Sequence, residues 1–122
     1  MAIDIKPADP ANNVNLRSNG VLPVAALTTA DFDATTVDIS DLSRIRFGDA
    51  NGSVRVSPVR ANLDDVDGDG DLDLVLFFSM RAIRESGALT MASTQGELIG
   101  FTTYGTPIRG VDALSIVDRD EP

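Results

Sequence analysis

The sequence predicts an all-β fold, and two features of its hydrophobic pattern support this. Apolar residues occur in short runs, and turn-forming residues interrupt these runs every several positions. No segment of 10–15 residues keeps the 3.6-residue periodicity of an amphipathic helix. The length of 122 residues fits a single domain with one modest core. We therefore expect one domain over residues 3–118, followed by a linker stub at 119–122.

The first third of the chain predicts two strands. Ile3 and Ile5 alternate with polar residues and indicate the first strand. Residues 11–20 are polar and end in a Ser-Asn-Gly turn signal. Residues 21–27 are mostly apolar but contain Pro23, which places this second strand at a sheet edge or at a bulge. Residues 28–43 are expected to form a loop with one helical turn.

A hairpin is predicted next in the chain. Residues 44–47 alternate between charged and apolar, and the Asn51-Gly52 pair that follows suits a tight turn. Val54, Val56 and Val59 then predict a return strand that bends near Pro58.

The strongest strand signal lies at residues 72–80. Apolar residues occupy alternate positions there and also fill the middle of the other face, which indicates a central strand buried on two sides. Residues 80–85 predict a short helix that Gly87 ends, and Leu89 with Met91 predicts the start of another strand.

Two further strands, at 97–103 and 111–117, are expected on either side of the turn at residues 105–107. Seven or eight short strands at this spacing are typical of a β-sandwich, and we expect an Ig-like or cohesin-like one.

Composition excludes several classes of function. There are 10 Lys and Arg against 19 Asp and Glu, so the net charge is −9, which argues against binding to nucleic acid. The chain has no His or Cys, so it contains no Ser-His-Asp or Cys-His catalytic unit and no disulfide framework. No run of 18 apolar residues exists, so we expect no membrane insertion. The residues after Met1 also lack the pattern of a signal peptide.

The chemically informative segment is the acidic run at residues 65–73. With Asp65 as position 1, carboxylates stand at positions 1, 3, 5 and 9, and a glycine stands at position 6. These are oxygen-ligand positions of a calcium loop, in which the glycine permits the sharp turn. The predicted ligands are the side chains of four aspartates and the backbone carbonyl of the residue at position 7: Asp65, Asp67, Asp69 and Asp73 by side chain, and Asp71 by carbonyl.

The loop differs from an EF-hand at its end. Position 12 is Leu76, where an EF-hand has a bidentate Glu, and a strand follows in place of a helix. Asp73 is therefore expected to close the site, as a bidentate ligand. An all-oxygen ligand set favours Ca²⁺ over transition metals, and Mg²⁺ would demand a stricter octahedral geometry. Asp64 is expected to lie outside the ligand set.

The alternative interpretation of this segment is a solvated acidic turn. Six acidic residues within residues 64–73 would repel one another in a compact loop without a cation, which favours calcium binding. Extracellular calcium is abundant enough to fill a weak site. We therefore expect a secreted or cell-surface location for the protein to which this domain belongs.

Seven segments occur along the chain in an order that carries a family resemblance: IDIKP at 3–7, GVLPVA at 20–25, TTADFD at 28–33, RFG at 46–48, residues 65–78, GTPI at 105–108 and residues 110–117. Together they resemble a calcium-loop β-sandwich module of large secreted and surface proteins of bacteria and archaea. The resemblance covers residues 3–118, and the loop alone also resembles those of integrin-type propeller blades and dockerins. It implies secretion and a calcium-bound, β-rich module without an established enzymatic role.

These observations predict a non-catalytic, calcium-stabilised structural or adhesive module of a larger extracellular protein, with another protein or a glycan as partner. We predict no catalytic residues, because the densest carboxylates belong to the metal loop and are not free for glycoside hydrolysis. A carbohydrate-binding module is the alternative, although Tyr104 is expected to pack on a neighbouring strand. Lys6 is a candidate for an intramolecular isopeptide bond with an Asn or Asp, but a solvent-facing lysine is the favoured interpretation.

Overall fold

The computed structural model describes residues 1–118, which form an all-β architecture with one short α-helix. The elements in chain order are β1 (Ile3–Ile5), β2 (Asn13–Asn15), β3 (Val21–Ala26), two 3₁₀ turns (Ala34–Thr36 and Leu42–Arg44), β4 (Arg46–Asp49), β5 (Arg60–Asp64), β6 (Asp73–Ser79), α1 (Met80–Ser86), β7 (Gln95–Phe101), β8 (Pro107–Ala113) and β9 (Ser115–Val117). The predicted linker stub at 119–122 lies outside the described residues.

The strands form three sheets. A four-stranded antiparallel sheet has the order β1-β3-β6-β5, and a three-stranded antiparallel sheet has the order β4-β7-β8. A small parallel pair joins β2 to β9. Phe78 on the first sheet and Phe47 on the second are fully buried, and their ring centroids lie 5.2 Å apart. The core thus lies between the two larger sheets, as in a β-sandwich.

The predicted central strand is confirmed. β6 pairs with β3 on one side and with β5 on the other. Leu74, Leu76 and Phe78 are almost fully buried on the core face, and Val75 on the opposite face is only 5% exposed. An apolar pattern on both faces therefore identified the most enclosed strand of the molecule.

The predicted position of the Pro23 strand is wrong, because β3 lies inside the sheet between β1 and β6. The carbonyl of Pro23 accepts a hydrogen bond from Lys6 N–H (2.8 Å), so the proline nitrogen also faces β1. The N–H that proline lacks would point to the Lys6 carbonyl, just beyond the end of β1. That carbonyl accepts instead from Asp9 N–H in the following turn (2.8 Å).

The predicted hairpin is only partly present. Asn51 and Gly52 do form a turn, with Gly52 N–H donating to the Asp49 carbonyl (3.0 Å). The predicted return strand is reduced to a single bridge between Val56 and Phe47. The chain then leaves this sheet, and β5 pairs with β6 of the other one. Val54 and Val59 are exposed, so neither supports a continuous strand.

The sequence also missed or misplaced several shorter elements. β2 lies in the segment 11–20 that was interpreted as polar, although its central residue, Val14, is buried. The segment after Leu89 makes turns where a strand was predicted. The last predicted strand, 111–117, is two strands, β8 and β9, while the strand predicted at 97–103 begins two residues earlier, as β7. The structure therefore has nine strands in the described region, against the seven or eight predicted.

The short helix is confirmed. Ser79 caps its N-terminus by accepting from Ala82 N–H, and Gly87 ends it in the left-handed conformation at φ 79°. Within the described residues, no helix has the length and apolar character needed to cross a membrane.

Candidate metal centre

The acidic loop connects β5 to β6, which are neighbouring strands of the four-stranded sheet. Asp64 ends β5 and lies opposite Asp73, the first residue of β6. Gly68 and Gly70 have positive φ angles of 72° and 91°, which residues with a Cβ rarely adopt. The predicted glycine turn at position 6 is therefore present, and a second glycine turn precedes it.

Asp73 is the fixed point of the loop, because its side chain is fully buried. One carboxylate oxygen accepts from Thr28 N–H (2.8 Å), and the other accepts from Val66 N–H (3.0 Å). Burial of a carboxylate is tolerated when it is well hydrogen-bonded. Asp73 therefore holds both ends of the loop against the end of β3.

Asp65 organises the middle of the loop through its two carboxylate oxygens. Oδ1 accepts from Gly68 N–H and Oδ2 from Gly70 N–H, each at 2.9 Å. These bonds favour the charged carboxylate, and the Gly70 bond contributes most to a pKa of Asp65 below its ordinary value. Asp65 is thus kept ionised, which is the state that a metal ligand requires.

Asp67 has the opposite electrostatic environment. Partial desolvation, with the Asp73 charge as a smaller contribution, raises the pKa of Asp67 above its ordinary value. Its Oδ1 accepts a long hydrogen bond from Asp69 N–H, at 3.4 Å. A cation at this position would relieve the repulsion that disfavours the charged form.

Three of the five predicted residues converge. Asp65, Asp67 and Asp73 each offer a carboxylate oxygen, and these oxygens lie within 4.8 Å of one another. Because Ca²⁺–oxygen distances are about 2.3–2.6 Å, two ligands on opposite sides of the ion stand about 5 Å apart. The spacing of these three oxygens therefore fits a cation held between them, and the cluster could hold a metal ion.

The other two predicted residues lie outside this cluster. Asp69 is exposed, and its Oδ1 accepts from Asp71 N–H at 2.9 Å. Asp71 is also exposed, and its expected contribution was a backbone carbonyl. The roles of Asp69 and Asp71 as ligands stay predictions.

Thr28 is a residue of the site that sequence reasoning did not identify. Besides the bond from its N–H to Asp73, its Oγ1 donates to the Leu72 carbonyl (2.6 Å) and accepts from Ala34 N–H (2.9 Å). The only signal for it is the β3–β6 register, because Ala26 pairs with Leu74 and Thr28 thus comes level with Leu72. That register is a tertiary feature.

Tyr104 and Lys6 were considered for other functions, and the structure places both. Tyr104 is 85% exposed, so the prediction that it packs on a neighbouring strand is wrong. Lys6 Nζ donates to the Asn13 carbonyl (2.7 Å) and lies 3.7 Å from Asp9 Oδ2, so this lysine is tied to its own turn. A cleft beside it has a volume of 110 Å³, below the roughly 300–1,000 Å³ of most small-molecule sites.

Comparison with known proteins returned no match among the family models, the curated proteins or the solved structures.

Proposed function

We propose that this protein is a non-catalytic, calcium-stabilised structural or adhesive module of a larger secreted or cell-surface protein. The observation that carries the proposal is the convergence of Asp65, Asp67 and Asp73 within 4.8 Å in a loop whose ligand spacing is that of calcium sites. Calcium is the ion proposed because every candidate ligand is a hard oxygen.

The position of the cluster supports a structural role for the ion. The loop joins β5 to β6, and Asp73 is itself hydrogen-bonded to Thr28, just beyond β3. An ion bound there would connect the ends of three strands and neutralise part of the acidic loop. In this proposal the ion is a structural staple, and the fold is an Ig-like or cohesin-like β-sandwich.

The test is thermal unfolding of the chain with excess calcium and with EDTA. A ligand that binds only the folded state stabilises it by about 2.7 kcal/mol at 100 times its Kd, which corresponds to about 10 °C for a domain of this size. We expect a shift of this order with Ca²⁺ and a smaller one with Mg²⁺. Superimposable melting curves in calcium and EDTA would refute the proposal.

Variants separate specific binding from general charge effects. Asp67→Asn should remove most of the calcium-induced shift, and the same is expected of Asp69→Ala if Asp69 joins the ligand set. Asp31→Asn is the matched control, because Asp31 is an exposed aspartate outside the loop. Equal loss of the shift in Asp67→Asn and Asp31→Asn would contradict a specific site.

Glycan binding is a second candidate function, and the exposure of Tyr104 favours it. Exposed aromatic rings are the usual platform for stacking sugar rings, and Tyr104 is 85% exposed in the turn between β7 and β8. A glycan array in calcium and in chelator, repeated with Tyr104→Ala, distinguishes the mechanisms. Binding through the ring would be lost in the variant, whereas binding through calcium would be lost in chelator.

A further inference from the structure

The outer edge of β5 is open. Met80 N–H donates to the Gly20 carbonyl, and with the β3–β6 register this bond fixes which residues of β6 face β3. The intervening residues of β6, including Phe77, have their N–H and C=O groups directed at β5. There they pair with Arg60 and with every second residue that follows it in β5. The N–H and C=O groups of Ala61 and Leu63 therefore point away from the sheet, and no group within residues 1–118 bonds to them.

The side chains of β5 have opposite charges at its two ends. Arg60 begins the strand and Asp64 ends it, and both are exposed. The Arg60 guanidinium lies 4.2 Å from the centroid of the Phe77 ring. Neither Arg60 nor Asp64 has an ion-pair partner in the described part of the chain. Between them, the exposed side chain of Leu63 adds an apolar surface.

We propose that β5 pairs with β5 of a second copy of this chain, antiparallel and centred on Asn62, so that two four-stranded sheets join into one. In this register Arg60 lies opposite Asp64 of the second copy, and Ala61 lies opposite Leu63. Ala61 and Leu63 exchange both of their backbone hydrogen bonds in each of the two symmetric pairs. The two copies are related by a two-fold axis through the Asn62 pair.

The charges at the two ends of β5 favour a second copy of this chain as the partner and an antiparallel orientation of the two strands. Antiparallel self-pairing brings opposite charges together at both ends of the strand, and oppositely charged cross-strand pairs are stabilising. Parallel in-register pairing would set Arg60 against Arg60 and Asp64 against Asp64, which is unfavourable. A second copy is therefore complementary to the edge in one orientation.

At two other sheet edges, a side chain covers an outward-facing backbone group by hydrogen-bonding to it, and no side chain among residues 1–118 does so at β5. At β1, Ile5 N–H donates to the Asp112 carboxylate (3.0 Å). At β8, the Ala113 carbonyl accepts from the Asn12 side-chain amide (2.7 Å). Such covers are a common protection against pairing with another chain.

A cysteine cross-link tests the pairing directly, because the chain contains no cysteine. Residue 62 would form a non-hydrogen-bonded pair with its copy, with Cα atoms about 4.5 Å apart, inside the disulfide range of about 4.4–6.8 Å. Mild oxidation of Asn62→Cys should give mostly covalent dimer. Arg46→Cys, at an exposed strand position on the other sheet, is the control and should stay mostly monomeric.

Charge exchange gives a second, independent test by sedimentation equilibrium. Arg60→Asp places like charges at both ends and should weaken the dimer about tenfold, while Arg60→Asp combined with Asp64→Arg should restore its affinity. Arg46→Asp, with the same change in net charge, should leave it unchanged. Far-UV circular dichroism verifies that each variant is folded.

The proposal does not depend on the metal site, so both tests are run in calcium and in EDTA, and the calcium-dependent melting is scored separately. A chain that is monomeric at about 1 mM in both conditions would overturn the proposal, since a Kd above about 1 mM is too weak for a specific dimer interface. The proposal would also be overturned by a dimer whose affinity is unchanged in Arg60→Asp and that forms no cross-link at residue 62. Such a dimer would use another surface.

Discussion

Among the loop aspartates, burial separates Asp73 from the rest. Its side chain is fully buried and accepts from Thr28 and Val66, whereas Asp69 and Asp71 are exposed. An exposed carboxylate remains hydrated in the absence of a cation, but a buried one depends on its hydrogen-bond donors. Asp73 is therefore a structural residue even before any metal is considered.

Replacement of Asp73 should destabilise the metal-free protein. Asp73→Ala leaves the partly buried N–H groups of Thr28 and Val66 without their acceptor, and hydrogen bonds to charged groups contribute about 1.5–3 kcal/mol each. Because both donors are only partly buried, water can replace part of the lost bonding, and we expect a loss of about 2 kcal/mol in urea unfolding with EDTA present. Asp71→Ala, an exposed residue of the same loop, should change the free energy of unfolding by less than about 0.5 kcal/mol. Equal effects of the two substitutions would contradict the anchoring role of Asp73.

At the scale of elements, close packing of strands depends on particular glycines. A Cβ added at Gly110 on β8 would lie 2.6 Å from Ile3 Cγ2 and 2.8 Å from the Met1 carbonyl oxygen. Both distances are shorter than a real Cβ contact allows. The absence of a side chain at residue 110 thus lets β1, on one sheet, approach β8, on the other.

Gly110→Ala should therefore separate these two strands. Overpacking of this kind costs about 1–3 kcal/mol, and thermal or urea unfolding measures it. Gly100→Ala is the matched control on the neighbouring strand β7, because its added Cβ would meet Ile45 and Ile108 at 3.5–3.7 Å, an ordinary contact distance. If the two variants unfold alike, the close approach of β1 and β8 does not limit stability.

At the scale of the whole molecule, many carboxylates are bonded into turns. Asp33, Asp38 and Asp41 each accept from the hydroxyl and the N–H of the residue two positions later, and the hydroxyl bond contributes most to lowering their pKa values. Glu97 is buried between two arginines, and the hydrogen bond from Arg55 (2.6 Å) is the main cause of its lowered pKa. Burial raises the pKa of Asp4, an effect of opposite sign.

Acid should unfold the metal-free protein through the carboxylates whose pKa values are lowered, namely Asp33, Asp38, Asp41 and Glu97. Because their pKa values are lower in the folded state, the unfolded chain binds more protons, and stability falls as the pH falls. The stabilisation is fully present above the ordinary values of 3.8 for Asp and 4.5 for Glu, and it is lost below them. Urea unfolding in EDTA between pH 7 and pH 3 measures this, and a free energy of unfolding that rises towards pH 3 would contradict it.

The local sequence pattern predicted the elements that can be recognised without knowledge of distant contacts. The central strand β6 is apolar on both faces, and the helix α1 has its own cap residues, Ser79 and Gly87, so neither depends on distant contacts for recognition. Pro23 misled the prediction, because its effect depends on which side of the strand the missing N–H faces. That side is decided by where β1 ends.

The short strand β2 was missed, and β9 was predicted only as the end of the strand at 111–117, for a related reason. They have little hydrophobic pattern of their own and exist as partners of each other, although their paired residues lie 102 positions apart in the sequence. Pairing of this kind is a property of the folded chain, since each strand supplies the other's hydrogen bonds.

By itself, the sequence determined the all-β class, the central strand and the candidate metal loop, because strand alternation and ligand spacing are short-range properties of the chain. The tertiary structure decided which of the loop carboxylates converge, namely Asp65, Asp67 and Asp73. It also placed Thr28 beside the loop and left the edge of β5 open. These outcomes follow from strand register and sheet order, which bring together residues that are distant in the sequence.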